Sequence, residues 1–210
     1  MIIRFIHVPK TGGVSILASI DNSISLLGKE EQKSWEIRGA DGTYHSKASQ
    51  GSVRVVEPKD MTNGEHVKES PIDFSFAFIR NPWDRFVSSY AYLKEKGGEE
   101  YEEKIKPFKT FKDFAIDGPI DSLHFLPQLH WIDSQVNFVG RLERINSHFD
   151  GLCKTLNLPL TQVQTLNETK HKPYWEYYDQ ESRDAVAQKY EDDIKHLGYS
   201  FSEYEHPART

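Results

Sequence analysis

The sequence predicts an α/β fold, a single domain (residues 1–210) with a central parallel sheet flanked by helices. Three observations lead there. Residues 2–8 and 74–79 are short apolar runs of the kind a buried parallel strand needs. Each run passes directly into an apolar pattern at helical spacing. Two such strand-to-helix junctions in one chain imply parallel strands, with a ligand at their C-terminal ends.

At 210 residues the chain is long enough for one layered domain with a sizeable core. With 37% apolar and 12% aromatic residues, it has too much to bury to stay disordered. Its formal charge of −6 argues against a nucleic-acid partner but leaves room for a local basic pocket. A single cysteine, Cys153, excludes an internal disulfide and a cysteine-rich zinc site, and suits a reducing compartment. Neither a signal-peptide pattern nor an apolar run of membrane-span length is present. The expectation is a soluble, cytoplasmic protein, or a trimmed one.

In chain order, Ile2, Ile3, Phe5, Ile6 and Val8 predict the first strand. Val14, Leu17, Ala18 and Ile20 predict the first helix, closed near Leu26 and Leu27. Residues 21–70 are polar and poorly periodic, with a charged run at 29–33, a short strand expected at 52–56 and a loop at 58–71. Part of this region is expected to be mobile or to cover the substrate. After the strand at 74–79, Asn81 is placed as N-cap, Pro82 as first helical residue and Asp84 three residues after the cap. Trp83, Phe86, Val87, Tyr90 and Leu93 form that helix's apolar face, and Gly97 and Gly98 stop it. A short helix is expected at 107–117, a loop or broken helix at 119–131, and a strand at 136–139. An amphipathic helix carrying Ile145, Phe149, Leu152, Cys153 and Leu156 should stop near Pro159. One final helix is expected over 182–196, with Val186, Tyr190, Ile194 and Leu197 on one face.

The first junction reads Pro9-Lys10-Thr11-Gly12-Gly13-Val14-Ser15. Gly12 and Gly13 permit a sharp turn and a close approach. The free N–H groups of the next helix point into that turn, with the positive end of its dipole behind them. Lys10, Thr11 and Ser15 add a charge and two hydroxyls, so the place suits a phosphate or sulfate. Lys10 precedes both glycines, which is not the Walker A order. At the second junction a strand-end arginine, Arg80, offers a fork of donors to a phosphate, and Ser88 supplies a hydroxyl two helical turns on. A surface ion pair between Arg80 and Asp84 is the competing reading.

The two stretches together resemble the 5′-phosphosulfate loop and the 3′-phosphate motif of sulfotransferases that use PAPS (3′-phosphoadenosine 5′-phosphosulfate). That family spaces its arginine and serine eight residues apart, as here. Phe125-Leu126-Pro127-Gln128, Phe138-Val139-Gly140-Arg141-Leu142-Glu143 and the segment 192–201 extend the resemblance to the compact carbohydrate sulfotransferases of heparan sulfate 2-O- and chondroitin type and their small bacterial relatives. Only residues 21–70 match poorly. The resemblance implies a P-loop-NTPase-like sulfotransferase fold, PAPS as donor, PAP as product, no metal, and a hydroxyl acceptor, expected to be a glycan. It implies donor contacts from Lys10, Thr11, Gly12, Gly13, Val14, Ser15, Arg80 and Ser88. From the late loop at 166–173 it implies Thr169 and Lys172, with Lys170 as substitute. Asn167 stands where some relatives carry a basic residue against the sugar.

Sulfuryl transfer needs a stabilised leaving phosphate and a base for the acceptor proton. Lys10 fits the first task. His45, ahead of the Arg80 strand, fits the second, and Glu36 is the alternative. His124 and His130 are candidates to face the acceptor, and His7 is expected to pack locally. Arg141 and Glu143 are read as a structural pair, and Trp131, Tyr174, Trp175, Tyr177 and Tyr178 as packing. The competing functions are a nucleotide kinase of related fold and a non-catalytic nucleotide-binding module.

Overall fold

A computed structural model describes residues 3–29, 31, 73–132, 134, 136–163 and 171–201, and the backbone of 2, 30, 32, 36–39 and 54–56. The expected loop at 58–71 lies outside the described residues. The chain divides into two compact units: residues 1–79 with 131–167, and residues 80–130 with 168–210.

The first unit is built on a five-stranded sheet. Its strands are β1 (Ile2–Ile6), β2 (Glu36–Gly39), β3 (Arg54–Val56), β4 (Phe74–Ile79) and β5 (Phe138–Arg141). They lie in the order β3-β2-β1-β4-β5, and every neighbouring pair is parallel. Strand β2 was not legible in the sequence, since Ile37 is its one large apolar residue. The register aligns Phe5 with Phe76 and Phe76 with Phe138. Side chains on that face meet α1 (Gly13–Ser25) and, beyond the single-turn α2 (Lys29–Gln32), α6 (Ile145–Thr155) in one cluster that includes Ile3, Phe5, Ile16, Ile20, Phe76, Phe78, Phe149, Leu152 and Cys153. Gly140 belongs to this packing, because a Cβ there would lie 2.4 Å from the Phe78 ring.

Details depart from expectation for local reasons. The buried stripe of α1 runs through Ile16, Leu17, Ile20 and Ile24 with Ser15, Ser19 and Ser23, while Val14 is exposed. Two of those serines return their hydroxyls to carbonyls four residues back, Ser19 to Ser15 and Ser23 to Ser19. That is how polar residues sit inside an apolar contact. Strand β5 starts two residues late because Asn137 Oδ1 accepts from Ser75 N at 2.7 Å, at the entry to the ladder. Helix α6 stops before Pro159: Asn157 is left-handed (φ 54°), and Leu158 N donates to Cys153 O at 2.8 Å.

The second unit is helical. It holds α3 (Pro82–Lys96), α4 (Glu99–Lys104), α5 (Phe111–Asp117), α7 (Gln180–Lys189) and α8 (Glu191–Leu197). Asn81 caps α3 as expected, accepting from Trp83 N and Asp84 N. Trp83, Phe86, Val87, Tyr90 and Leu93 are all buried, in a cluster rich in edge-to-face aromatic pairs around Phe86 and Phe114. The predicted helix at 107–117 begins only at Phe111, behind a Thr110–Asp113 capping box. Helix α4 was missed because it has no buried residue and so no apolar stripe. The expected final helix is two helices, broken at Tyr190 (φ −120°, ψ 31°), whose hydroxyl donates to Phe125 O at 2.6 Å. The apolar spacing runs unbroken through a backbone that does not.

Candidate functional site

Strands β1 and β4 are neighbours in the sheet, and each is followed at its C-terminal end by a helix N-terminus, β1 through the loop 7–12 and β4 through residues 80–81. Parallel sheets present ligands at that end.

At the first junction Lys10 is left-handed (φ 68°) although it is not glycine. Such backbone costs about 1–2 kcal/mol and is typically held where a site needs it. Gly12 follows at φ 80°, and a Cβ there would also lie 2.8 Å from Leu142 Cδ1. Gly13 opens α1, and its missing Cβ makes room for the His7 imidazole, which would be 2.2 Å away. His7 is therefore packed locally as expected, and its ring stacks on Phe5. Thr11 differs from expectation. Its side chain is fully buried and its hydroxyl donates to Val8 O at 2.8 Å, closing the loop on itself. Thr11 can offer a ligand its backbone N–H but not its side chain. Ser15 is nearly buried in the first turn, and Val14 is exposed beside it.

At the second junction Arg80 Nε donates to Asp84 Oδ2 at 2.8 Å, with both side chains mostly buried. The ion pair weighed from the sequence is real. It orients the guanidinium through Nε and is compatible with a second, anionic partner. Ser88 is buried on α3. Beside them Arg85 is fully buried and donates to Leu126 O at 2.6 Å and to His124 O. Burial lowers its pKa, and the nearby Tyr190 and Asp193 work against that shift.

Other candidates are placed as follows. Lys172 is exposed, its Nζ 3.9 Å from Glu176 Oε2. His124 Nδ1 lies 2.8 Å from Glu100 Oε2, and its ring packs tilted against Tyr92 at 5.3 Å between centroids. His130 lines a cleft of about 660 Å³ with Leu129, Glu191, Asp192 and His196. Arg141 N donates to His148 Nδ1 at 2.7 Å, so that nitrogen is unprotonated. Burial, then Arg144 and Arg141, pull the His148 pKa down, which fits a neutral ring. Tyr174 is buried, as packing residues are. His45, Asn167, Thr169 and Lys170 lie outside the described residues. Glu36 is described by its backbone: it pairs with Ile2, at the opposite end of β1 from the Lys10 loop. The register thus opposes Glu36 as the base.

Sequence reasoning missed the role of Gln128, which is fully buried with its carboxamide against the Arg80 backbone. No group of side chains able to hold a metal ion occurs among the described residues, nor does a helix long and apolar enough to cross a membrane.

Searches of curated proteins and of solved structures return no match. A family model described as the sulfotransferase family does match, over residues 2–200, which spans both junctions and all five strands. The chain belongs to the sulfotransferase family.

Proposed function

We propose that this protein transfers the sulfuryl group of PAPS to a hydroxyl of a carbohydrate acceptor, with PAP as the other product. The observation that carries the reading is the pair of neighbouring parallel strands, each delivering a basic residue and a helix N-terminus at its C-terminal end. In this reading Lys10 and the N–H groups of residues 11–15 hold the 5′-phosphosulfate. Arg80, Ser88, Thr169 and Lys172 hold the 3′-phosphate. The acceptor oxygen attacks sulfur in line, the bond from sulfur to the 5′-phosphate oxygen breaks, and the acceptor proton passes to His45. Negative charge growing on the leaving phosphate meets Lys10 and the α1 dipole, and the resemblance to sulfotransferases implies a reaction without a metal. The match across residues 2–200 supports treating both units as one sulfotransferase domain.

The test pairs a binding and a transfer assay. PAP alone should raise the melting temperature, since a ligand of the native state stabilises by mass action. ATP with magnesium should do so poorly. Labelled sulfate should move from PAPS to members of a panel of glycans and small alcohols. A larger, magnesium-dependent shift with ATP would favour the kinase. PAP binding without transfer to any acceptor would favour the non-catalytic module.

A further inference from the structure

We infer that Gln128, held by Asp193, is the positioning residue that fixes Arg80 for the anion; the inference rests on the donor role proposed for Arg80. Gln128 Oε1 accepts from Arg80 N at 2.9 Å, and Gln128 Nε2 donates to Arg80 O at 2.8 Å. One carboxamide therefore satisfies both backbone groups of the residue that follows β4. It does what a neighbouring strand would do, one residue beyond the last strand pairing. The amide orientation is fixed, because Arg80 N can only donate and Arg80 O can only accept.

Gln128 is itself held. Its own N–H donates to Asp193 Oδ2 at 2.7 Å, and Leu129 N donates to Asp193 Oδ1 at 2.9 Å. Asp193 is fully buried, and a carboxylate in that setting needs these two donors. Upstream, the carbonyls of 124–126 accept from Ser89, Tyr190 and Arg85. The segment is thus tied at successive residues to α3 and to the chain around the α7–α8 break. With Asp84 on its Nε, Arg80 is constrained at backbone and head group together. A phosphate then meets an arginine already in place, and the affinity lost to ordering a long side chain is avoided.

The experiment is a double-mutant cycle on the full chain, read as PAP affinity by calorimetry. Gln128→Met keeps the volume and removes both hydrogen bonds. It should weaken PAP binding about tenfold, the scale of losing one or two such bonds. The KM for PAPS should rise while kcat at saturating donor holds. In an Arg80→Ala background the same change should weaken binding no further, because the effect acts through Arg80. Asp193→Asn, which keeps the shape but loses one acceptor, should show a smaller loss in the same direction. It carries the cycle if Gln128→Met does not fold. Wild-type PAP affinity in both variants, or a loss that adds fully to Arg80→Ala, would overturn the positioning role alone. Wild-type affinity in Arg80→Ala itself would remove the donor role of that arginine, and this inference with it.

Discussion

Lys10 combines a basic head group with a left-handed backbone. These two properties separate in variants. Glycine adopts that backbone freely and alanine does not, so Lys10→Gly should be more stable than Lys10→Ala by roughly 1 kcal/mol, the reverse of the usual order. Both should lose turnover, because both lack the charge that meets the leaving phosphate. Urea unfolding with kcat measurements checks both halves. Equal stability of the two variants would mean the loop relaxes once the side chain is gone. The base is the other residue-scale question. His45→Ala should bind PAP normally yet transfer sulfate on the order of 10²–10⁴ times more slowly. Wild-type turnover should fall as pH drops through the ordinary imidazole range, since only the neutral ring accepts a proton. Glu36→Gln should stay active, given its place at the far end of β1. The opposite pattern would reassign the base.

At the scale of elements, an ionic cluster ties α5 to α7. Lys112 Nζ lies 2.7 Å from both Asp179 Oδ2 and Glu181 Oε2. Hydrogen bonding from Lys112, then from Ser182, holds the Asp179 carboxyl well below the usual carboxylate range. A depressed carboxyl stabilises above its unfolded value of about 3.9, and that contribution is lost as pH falls through the folded value. Asp179→Asn keeps a capping side chain but loses the charge. Its melting temperature should sit below wild type at pH 7, and the gap should close as pH falls below about 4. A gap that persists unchanged at pH 2 would show that charge contributes nothing. Lys112 is shifted up by the same bonds, so its share is full below about pH 10.4 and fades only above that, outside the window tested.

The same scale explains what the sequence disclosed. Both junctions were legible because apolar runs, Gly12, Asn81 and Pro82 are local signals. The α7–α8 break was not, since Val186, Tyr190 and Ile194 keep helical spacing across it. Asn157 is a local stop signal that acts two residues before Pro159. Gln128 and Asp193 stand in stretches that carry the family resemblance, but their pairing left no local trace: it crosses 65 positions of sequence, where no periodicity reaches.

For the whole molecule, Cys153 reports on global opening. The thiol is fully buried in the cluster under the sheet, and burial pushes its pKa up. Alkylation should therefore be slow in the native state and proceed through molecules that have opened. A ligand of the native state alone depletes the open form in proportion to its saturation. At PAP one hundred times its Kd, iodoacetamide labelling should slow by about 100-fold. Labelling indifferent to PAP would mean that the cluster opens without disturbing the donor site.

The placement of β1 carries one more consequence, and it concerns synthesis. Strand β1 is made before the other described strands and lies in the middle of them, and its β4 partner begins only at Phe74. At roughly 5–20 residues per second, several seconds pass before that partner has been added to the nascent chain. Pairing over such separations is slow even for a complete chain, because a long loop must close first. During that interval Ile3, Phe5 and Ile6 have no β4 to cover them. A ribosome-bound chain halted before Phe74 should be held by chaperones and cut readily by proteases, and the released full chain, with α6 in place under the sheet, should resist both.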